Sequence, residues 1–540
     1  MKKLLLASTV IMAGYLLVSC GGGGSSSSTT TPPVATTPTP APPTNIAPVI
    51  TVANADQTAV TGQSFTYDAT QSGNAFSDAD GDALTYLVSY SPSALGLTDT
   101  AGVISGTPSQ TGTITVTITA DDGNGGQASD AFDIVVSAAQ PTSDSDKPNI
   151  IFLISDDQGR DSSAQYTLTS DVPNTPNLTA LADNGLIFDN AWVSPSCSPT
   201  RGSLMTGKIG SRTNVLQPGD SLPATETVLQ SFLKSDAATS DYATALIGKW
   251  HLGGGATGPL DFGIDYFAGI INGGVNDYFN WNLNVNGTSL TSINYVTTEL
   301  TDLAVDWVDD QTSPWFLWLA YNAPHTPYHL PPTSLHTRNL PGTQADINAN
   351  TRDYYLASIE AMDTEFGRLW TSMSAAEQAN TIVIYLGDNG TPGGATTITP
   401  DQNGDKGDLL QGGINTPLFM SGAGITRRGE RESKLVTHTD FFATIAEMAG
   451  AVLPAHNDGQ SFADLLTDPD APGRDYAFTE HSGGWAIRDA RYKLIESTNG
   501  NQDLYDLQND PAEQIDLLAG NTDVSAILFE LEAEADRIRN

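Results

Sequence analysis

The chain has 540 residues, 39% of them hydrophobic and 16% charged, a length that exceeds one ordinary core and predicts two to four domains. Its 23 Lys and Arg stand against 62 Asp and Glu, a formal net charge of −39. That balance excludes the basic footprint that nucleic-acid binding needs; it suits a protein in a salty medium or one that holds hard cations.

Lys2 and Lys3 precede an apolar stretch over residues 4–18, too short for a comfortable membrane span, and the stretch ends in Leu17-Val18-Ser19-Cys20. Segment 1–20 resembles the signal and lipobox of bacterial lipoproteins, which implies cleavage before Cys20 and acylation of its thiol and amine. No later stretch approaches 18 consecutive apolar residues. Gly21, not Asp, follows the cysteine. By the same resemblance the implied destination is the cell envelope, at the outer membrane, on its periplasmic or outer face. Residues 21–44 contain only Gly, Ser, Thr, Pro, Ala and Val. They cannot bury a core and are expected to form a disordered tether reaching roughly 50–75 Å.

Over 45–139 short alternating runs, such as Leu84-Thr85-Tyr86-Leu87-Val88 and Thr113-Ile114-Thr115-Val116-Thr117-Ile118, are separated by Gly and Asp turns. This spacing predicts an all-β, Ig-like sandwich. The module has ten Asp and no Lys, Arg, His or Glu. Asp78, Asp80 and Asp82 share one loop and Asp121 begins another; clustered carboxylates repel unless a cation sits between them, so these four are the expected ligands of a Ca²⁺. Together with Gly102-Val103-Ile104-Ser105-Gly106-Thr107-Pro108, these loops resemble the dystroglycan-type cadherin-like domain, which implies a Ca²⁺-associated accessory module.

After a polar linker at 140–146 the pattern becomes α/β. One arrangement occurs four times: an unbroken apolar run followed at once by polar residues. Asn149-Ile150-Ile151-Phe152-Leu153-Ile154 leads to Asp156-Asp157, Tyr242-Ala243-Thr244-Ala245-Leu246-Ile247 to Lys249-Trp250-His251, Trp315-Phe316-Leu317-Trp318-Leu319-Ala320 to His325, and Thr381-Ile382-Val383-Ile384-Tyr385-Leu386 to Asp388-Asn389. Runs without alternation predict strands of a mostly parallel sheet covered on both faces, and ligands of such sheets bind beyond the strands' carboxyl ends. Asp156, Asp157, Asp388 and Asn389 are hard oxygen ligands for Ca²⁺ or Mg²⁺. Three carboxylates without a cation are expected to force at least one to protonate. Lys249, His251 and His325 are the cationic or proton-carrying groups an anionic substrate requires.

Cys197-Ser198-Pro199-Thr200-Arg201-Gly202-Ser203-Leu204-Met205-Thr206-Gly207 resembles the signature of formylglycine-dependent, arylsulfatase-like sulfatases of the alkaline phosphatase superfamily. The resemblance runs from Lys147 to the C-terminus. It implies an alkaline-phosphatase-like catalytic domain at 147–462 and a small α+β C-terminal subdomain at 463–540, ending in motifs such as Leu504-Tyr505-Asp506-Leu507. It also implies a sulfuric ester hydrolase acting on a sulfated carbohydrate or an aryl sulfate. A dedicated maturase would oxidise Cys197 to formylglycine, whose hydrate attacks sulfur through one hydroxyl and expels sulfate through the other. Asp156, Asp157, Asp388, Asn389 and the converted Cys197 would surround the metal. Arg201, Lys249 and His251 would stabilise the nucleophile, with His251 aiding its deprotonation. Lys406 and His325 would contact the sulfate, and His325 would protonate the leaving oxygen. Lys406-Gly407 is followed by Gln411-Gly412-Gly413-Ile414 where the family more often has Glu at 411. With Cys20 lipidated and Cys197 converted, a disulfide between them is disfavoured. Two alternatives stand beside this reading: a phosphoester or phosphonate-ester hydrolase of the same superfamily, and a non-catalytic surface adhesin.

Overall fold

The computed structural model describes residues 45–60, 64–91, 94–108, 112–137, 147–453, 458–520 and 523–540; Cys20, the apolar leader and the tether lie outside them. The chain divides into two compact units, 1–139 and 140–540. No helix among the described residues is long and apolar enough to cross a membrane.

In the first unit, side-chain alternation decides the architecture. Along Gly112–Asp121 every second residue from Ile114 to Ala120 is buried, as the inward face of a pleated strand requires. This strand pairs with Thr85–Ser91 and Gln127–Ser137 in a four-stranded sheet completed by Gln57–Val60. A three-stranded sheet of Phe65–Asp68, Val103–Gly106 and Leu97–Thr100 adds Leu97 and Ile104 to the same core. Two sheets closing on one core make the expected sandwich.

The second unit is built on a ten-stranded sheet. Its centre is five parallel strands: β1 (Asn149–Ser155), β2 (Ala243–Lys249), β3 (Tyr266–Ile270), β4 (Trp315–Ala320) and β5 (Thr381–Gly387), in the spatial order β3-β2-β4-β1-β5. The flanks are antiparallel: Trp281–Val285 and Thr288–Ser292 beyond β3, Leu418–Gly422 beyond β5. Gly185–Phe188 follows antiparallel to Leu418–Gly422, and Glu430–Glu432 closes that edge parallel to Gly185–Phe188, so the sheet is mixed. Its unbroken apolar runs have a direct cause. Ile151 and Leu153 of β1 enter a core on one face, with Tyr355, Ile359 and Met362 of the long helix Thr351–Ser372. Ile150, Phe152 and Ile154 enter another core on the opposite face, where Phe152 stacks on Phe441 at 5.3 Å and meets Trp318 edge-on at 4.9 Å. Both faces are covered, so neither can be polar. A separate four-stranded antiparallel sheet, Ala477–His481 to Gln502–Asp506, packs with the terminal helix Ser525–Arg539.

One buried histidine ties stability to pH. Burial pushes the His438 imidazole down to about 3, and its Nε2 lies 3.2 Å from Ser194 Oγ. Unfolded, the ring titrates near 6.5. Between those values the unfolded chain binds a proton that the folded chain refuses, so this contribution is complete above pH 6.5 and is lost as pH falls toward 3. Urea titrations from pH 7.5 to 4.5 are expected to show stability falling with acid, and His438→Gln is expected to shallow that slope by up to about 1.4 kcal/mol per pH unit. An unchanged slope would contradict the assignment.

Candidate active site

The carboxyl ends of β1, β2, β4 and β5 lie side by side, with Ser155 opposite Gly387 and Gly248 opposite Ala320. Backbone bonds stitch the loops that leave them: Asp156 N donates to Ala323 O (3.1 Å), Asp388 N to Ser155 O (3.1 Å) and Tyr321 N to Ile154 O (3.0 Å). Asp156, Asp157, Asp388 and Asn389 consequently meet at one sheet edge, all buried. Cys197 is the first residue of the helix Cys197–Thr206, every residue of which is buried. The cysteine thus stands where unpaired backbone N–H groups favour negative charge. The helix ends at Gly207 in the left-handed conformation, φ 67°, which a Cβ would disfavour.

Each carboxylate has a protein cation. Lys249 Nζ donates to both oxygens of Asp156 (2.8 and 2.7 Å). Arg201 Nε and Nη2 grip Asp388 Oδ2 (3.0 and 2.8 Å), while its Nη1 donates to Lys249 O (2.8 Å). Lys406 Nζ lies 2.6 Å from Asp157 Oδ1 and 3.9 Å from Cys197 Sγ. Carboxylate repulsion alone therefore does not demand a metal, contrary to the expectation from sequence: three anions face three cations.

What favours a metal is the donor set. The ligand atoms of Asp156, Asp157 and Cys197 all lie within 4.8 Å of one another. Asn389 donates its amide N–H to Asp157 Oδ1 (2.9 Å) and to Gly390 O (3.0 Å), but its buried Oδ1 has no protein partner. A buried, orphaned amide oxygen beside carboxylates fits a hard cation. A divalent ion would raise the balance of these six side chains from zero to +2, the sign a sulfate or phosphate ester requires.

The cationic groups differ in state. Burial is the largest influence on the Lys249 and Lys406 ammonium groups and depresses both, but the neighbouring negative groups together, led by Asp156 for Lys249 and by Asp157 for Lys406, outweigh it and the net direction is up. His251 goes the other way: burial, then Lys249 and Arg201, bring it down to about 3. It is a neutral imidazole with an unpartnered Nδ1, and a pKa this low makes it a weak base while the site holds no anion. Burial pushes the Cys197 thiol up, against the pull of Lys249, which makes an unconverted thiol a poor nucleophile. His325 is partly exposed; Nδ1 lies 2.8 Å from Thr326 O and Nε2 3.8 Å from Asp157 Oδ2. Asp157 and His251 have φ of 73° and 59°, strain of order 1–3 kcal/mol each that the surrounding bonds hold in place.

A fifth strand completes the site. After β3 the chain runs through Gly273 and Gly274. A Cβ on Gly273 would lie 2.6 Å from His251 Nε2, and one on Gly274 3.2 Å from the His325 ring. What signal the sequence held was weak: Tyr266-Phe267-Ala268-Gly269-Ile270, a short apolar run broken by Gly269, before Asn272-Gly273-Gly274. Glu513, from the C-terminal region, also contributes: it accepts from Gln411 N (2.6 Å) and pairs with Lys493, fixing the turn that follows Lys406.

The acidic loops of the sandwich assemble differently from expectation. Asp78, Asp82 and Asp122 bring ligand atoms within 4.8 Å of one another. Asp121 instead accepts from Gly123 N (2.7 Å) and Gln127 Nε2 (2.5 Å), and Asp80 accepts from Ile46 N (2.7 Å). Alternation explains the exchange: Ala120 and Asp122 share the inward direction, and Asp121 lies between them on the other face.

Comparison with known proteins agrees with this geometry. Residues 148–451 match the family model described as "Sulfatase", 404–540 match "N-sulphoglucosamine sulphohydrolase, C-terminal", and 47–137 match "Putative Ig domain". The uncharacterized sulfatase YdeN of Escherichia coli is 30% identical over 329 residues, covering 54% of this chain and 57% of its own length. Human arylsulfatase G is 25% identical over 467 residues, 71% of this chain and 85% of its own. The crystal structure of Ps i-CgsB in complex with k-i-k-neocarrahexaose superposes with a TM-score of 0.62 at 25% identity, over 73% of this chain and 93% of that one.

Proposed function

Because the chain belongs to the sulfatase family and is a sulfuric ester hydrolase, we propose that it removes sulfate from a glycan, with Cys197 converted by a maturase to formylglycine and Asp156, Asp157, Asp388 and Asn389 holding one Ca²⁺ or Mg²⁺. The observation that carries this reading is the convergence of Cys197, three carboxylate–cation pairs and the orphaned Asn389 oxygen on one buried edge. The glycan is supported by the carrageenan-type oligosaccharide bound to Ps i-CgsB.

The hydrated aldehyde supplies an oxygen nucleophile, and the cation supplies positive charge beside the sulfate. The chain's own groups do the rest. Arg201 and Lys249, locked on Asp388 and Asp156, fix cationic charge next to residue 197 with no reorganisation. Lys406 reaches the same position from the other loop. His251 is neutral with an unpartnered Nδ1, and a bound sulfate anion would raise its basicity toward taking the proton from the nucleophile side. His325, oriented through Nδ1 by Thr326 O, presents Nε2 to the leaving oxygen as its proton donor. Side-by-side turnover of an aryl sulfate and the matching phosphate tests the assignment: the sulfate is expected to be strongly preferred, and preferential phosphate hydrolysis would favour the superfamily's phosphoesterase branch.

We further propose that the Ig-like unit is a cadherin-like accessory module binding Ca²⁺ through Asp78, Asp82 and Asp122, and that lipid on Cys20 anchors the protein at the outer membrane of a bacterial envelope. Metal analysis is expected to find two cations in the full chain and one in residues 147–540, with aryl sulfate turnover retained by the shorter form; a single cation in the full chain would remove the accessory site. Cys20→Ala is expected to move the protein from the membrane to the soluble fraction, and continued membrane retention would count against the anchor.

A further inference from the structure

The aromatic-rich stretch 276–281 divides its residues between two tasks. Tyr278 and Trp281 are core: the Tyr278 hydroxyl lies 2.8 Å from Asn322 O and 2.7 Å from His325 O, and Trp281 Nε1 donates to Asn294 O at 3.0 Å. The asparagines around them, Asn276, Asn280 and Asn282, are exposed. With Asn272, Gly274 and Trp281 they line a cavity of about 320 Å³, near the lower bound for a small-molecule site. Gly274 belongs both to this wall and to the contact with His325, and its neighbour Gly273 lies against His251. The cavity therefore begins where the two imidazoles stand.

Its lining mixes amides with apolar side chains such as Ile270 and Val275. No lining side chain is charged, in a chain where 85 of 540 residues are Asp, Glu, Lys or Arg (23 + 62). None of the four asparagine amides has a hydrogen-bond partner among the described residues. Each amide offers an acceptor oxygen and two N–H donors, which matches sugar hydroxyls, since these both give and take hydrogen bonds. A carboxylate or second sulfate placed there would lose hydration without meeting a cation. The active-site cations Lys249, Arg201 and Lys406 are paired with carboxylates and are not among its lining residues.

We propose that this asparagine-lined cavity is the subsite for an uncharged, hydroxyl-rich sugar unit adjoining the sulfated one, and that it selects against uronates at that position. The inference rests on the reading of the protein as a glycan sulfatase. It is tested by equilibrium binding of two unsulfated disaccharides to the full chain, one of galactose units and one containing a uronate, alongside kcat/KM for the monosulfated form of each. The galactose disaccharide is expected to be favoured at least tenfold in both measurements. The double variant Asn276→Lys/Asn280→Lys is expected to shift both ratios at least tenfold toward the uronate. Absent or equal binding of the two unsulfated sugars, or ratios the lysine pair leaves unmoved, would overturn the proposal. Aryl sulfate turnover by the wild-type protein separates the two levels: if it is missing while the binding preference stands, the sulfatase reading fails and the subsite does not.

Discussion

Replacing Arg201 by alanine is expected to lower kcat by two to four orders of magnitude. Its guanidinium is about 1% exposed, holds Asp388 through two bonds and Lys249 O through a third, and approaches Asp156 at 3.9 Å. Removing one preorganised cationic donor from beside the reacting group costs about 10²–10³ in kcat, and the carboxylate left uncompensated by the loss disturbs the site further. Here the stranded group is Asp388, which also accepts from Asp157 N (2.9 Å), so the damage reaches both acidic loops. Arg201→Lys is expected to recover little, because a single ammonium cannot reproduce the two-nitrogen grip on Asp388 together with the bond to Lys249 O. A variant whose kcat stays within tenfold of wild type would contradict the role assigned to this side chain.

Cys197→Ala is expected to abolish turnover while leaving the fold intact. The side chain is small and buried, so loss of its sulfur costs on the order of 1 kcal/mol of stability. Alanine cannot be converted to an aldehyde. Cys197→Ser is expected to behave according to the host, active only where the maturase accepts serine. An unmodified cysteine is expected to be inactive too, since burial raises its thiol's pKa and withholds the thiolate. Detectable sulfatase turnover by the alanine variant would mean that the nucleophile lies elsewhere.

What sequence could reveal followed from locality. β1, β2, β4 and β5 were legible because two covered faces force unbroken apolar runs, and because the polar residues that matter follow within a few positions of each strand's end. β3 was not: it has five residues, and Gly269 interrupts its apolar run because a Cβ there would meet Gly248 O at 2.0 Å. The antiparallel flanks also escaped, since edge strands such as Thr288–Ser292 are mostly exposed and carry no apolar run. Adjacent Asp121 and Asp122 are alike in sequence, and only the strand register decides which one turns inward. The pairing of each carboxylate with its cation was likewise hidden, because Asp156 and Lys249 are 93 positions apart and Asp157 and Lys406 are 249. Within 276–281 the structure buries Tyr278 and Trp281 and leaves the asparagines outside, a division that their adjacency in sequence does not reveal.

In the proposed mechanism, residue 197 works as an aldehyde held among Arg201, Lys249 and Lys406. Mass analysis of the peptide containing position 197, combined with hydrazide labelling and specific activity across preparations of graded maturation, tests it most directly. The expected result is a peptide that has lost its sulfur, labelling at that residue, and activity that rises in proportion to the converted fraction. Full sulfatase activity in a preparation whose Cys197 is entirely an unmodified thiol would contradict it.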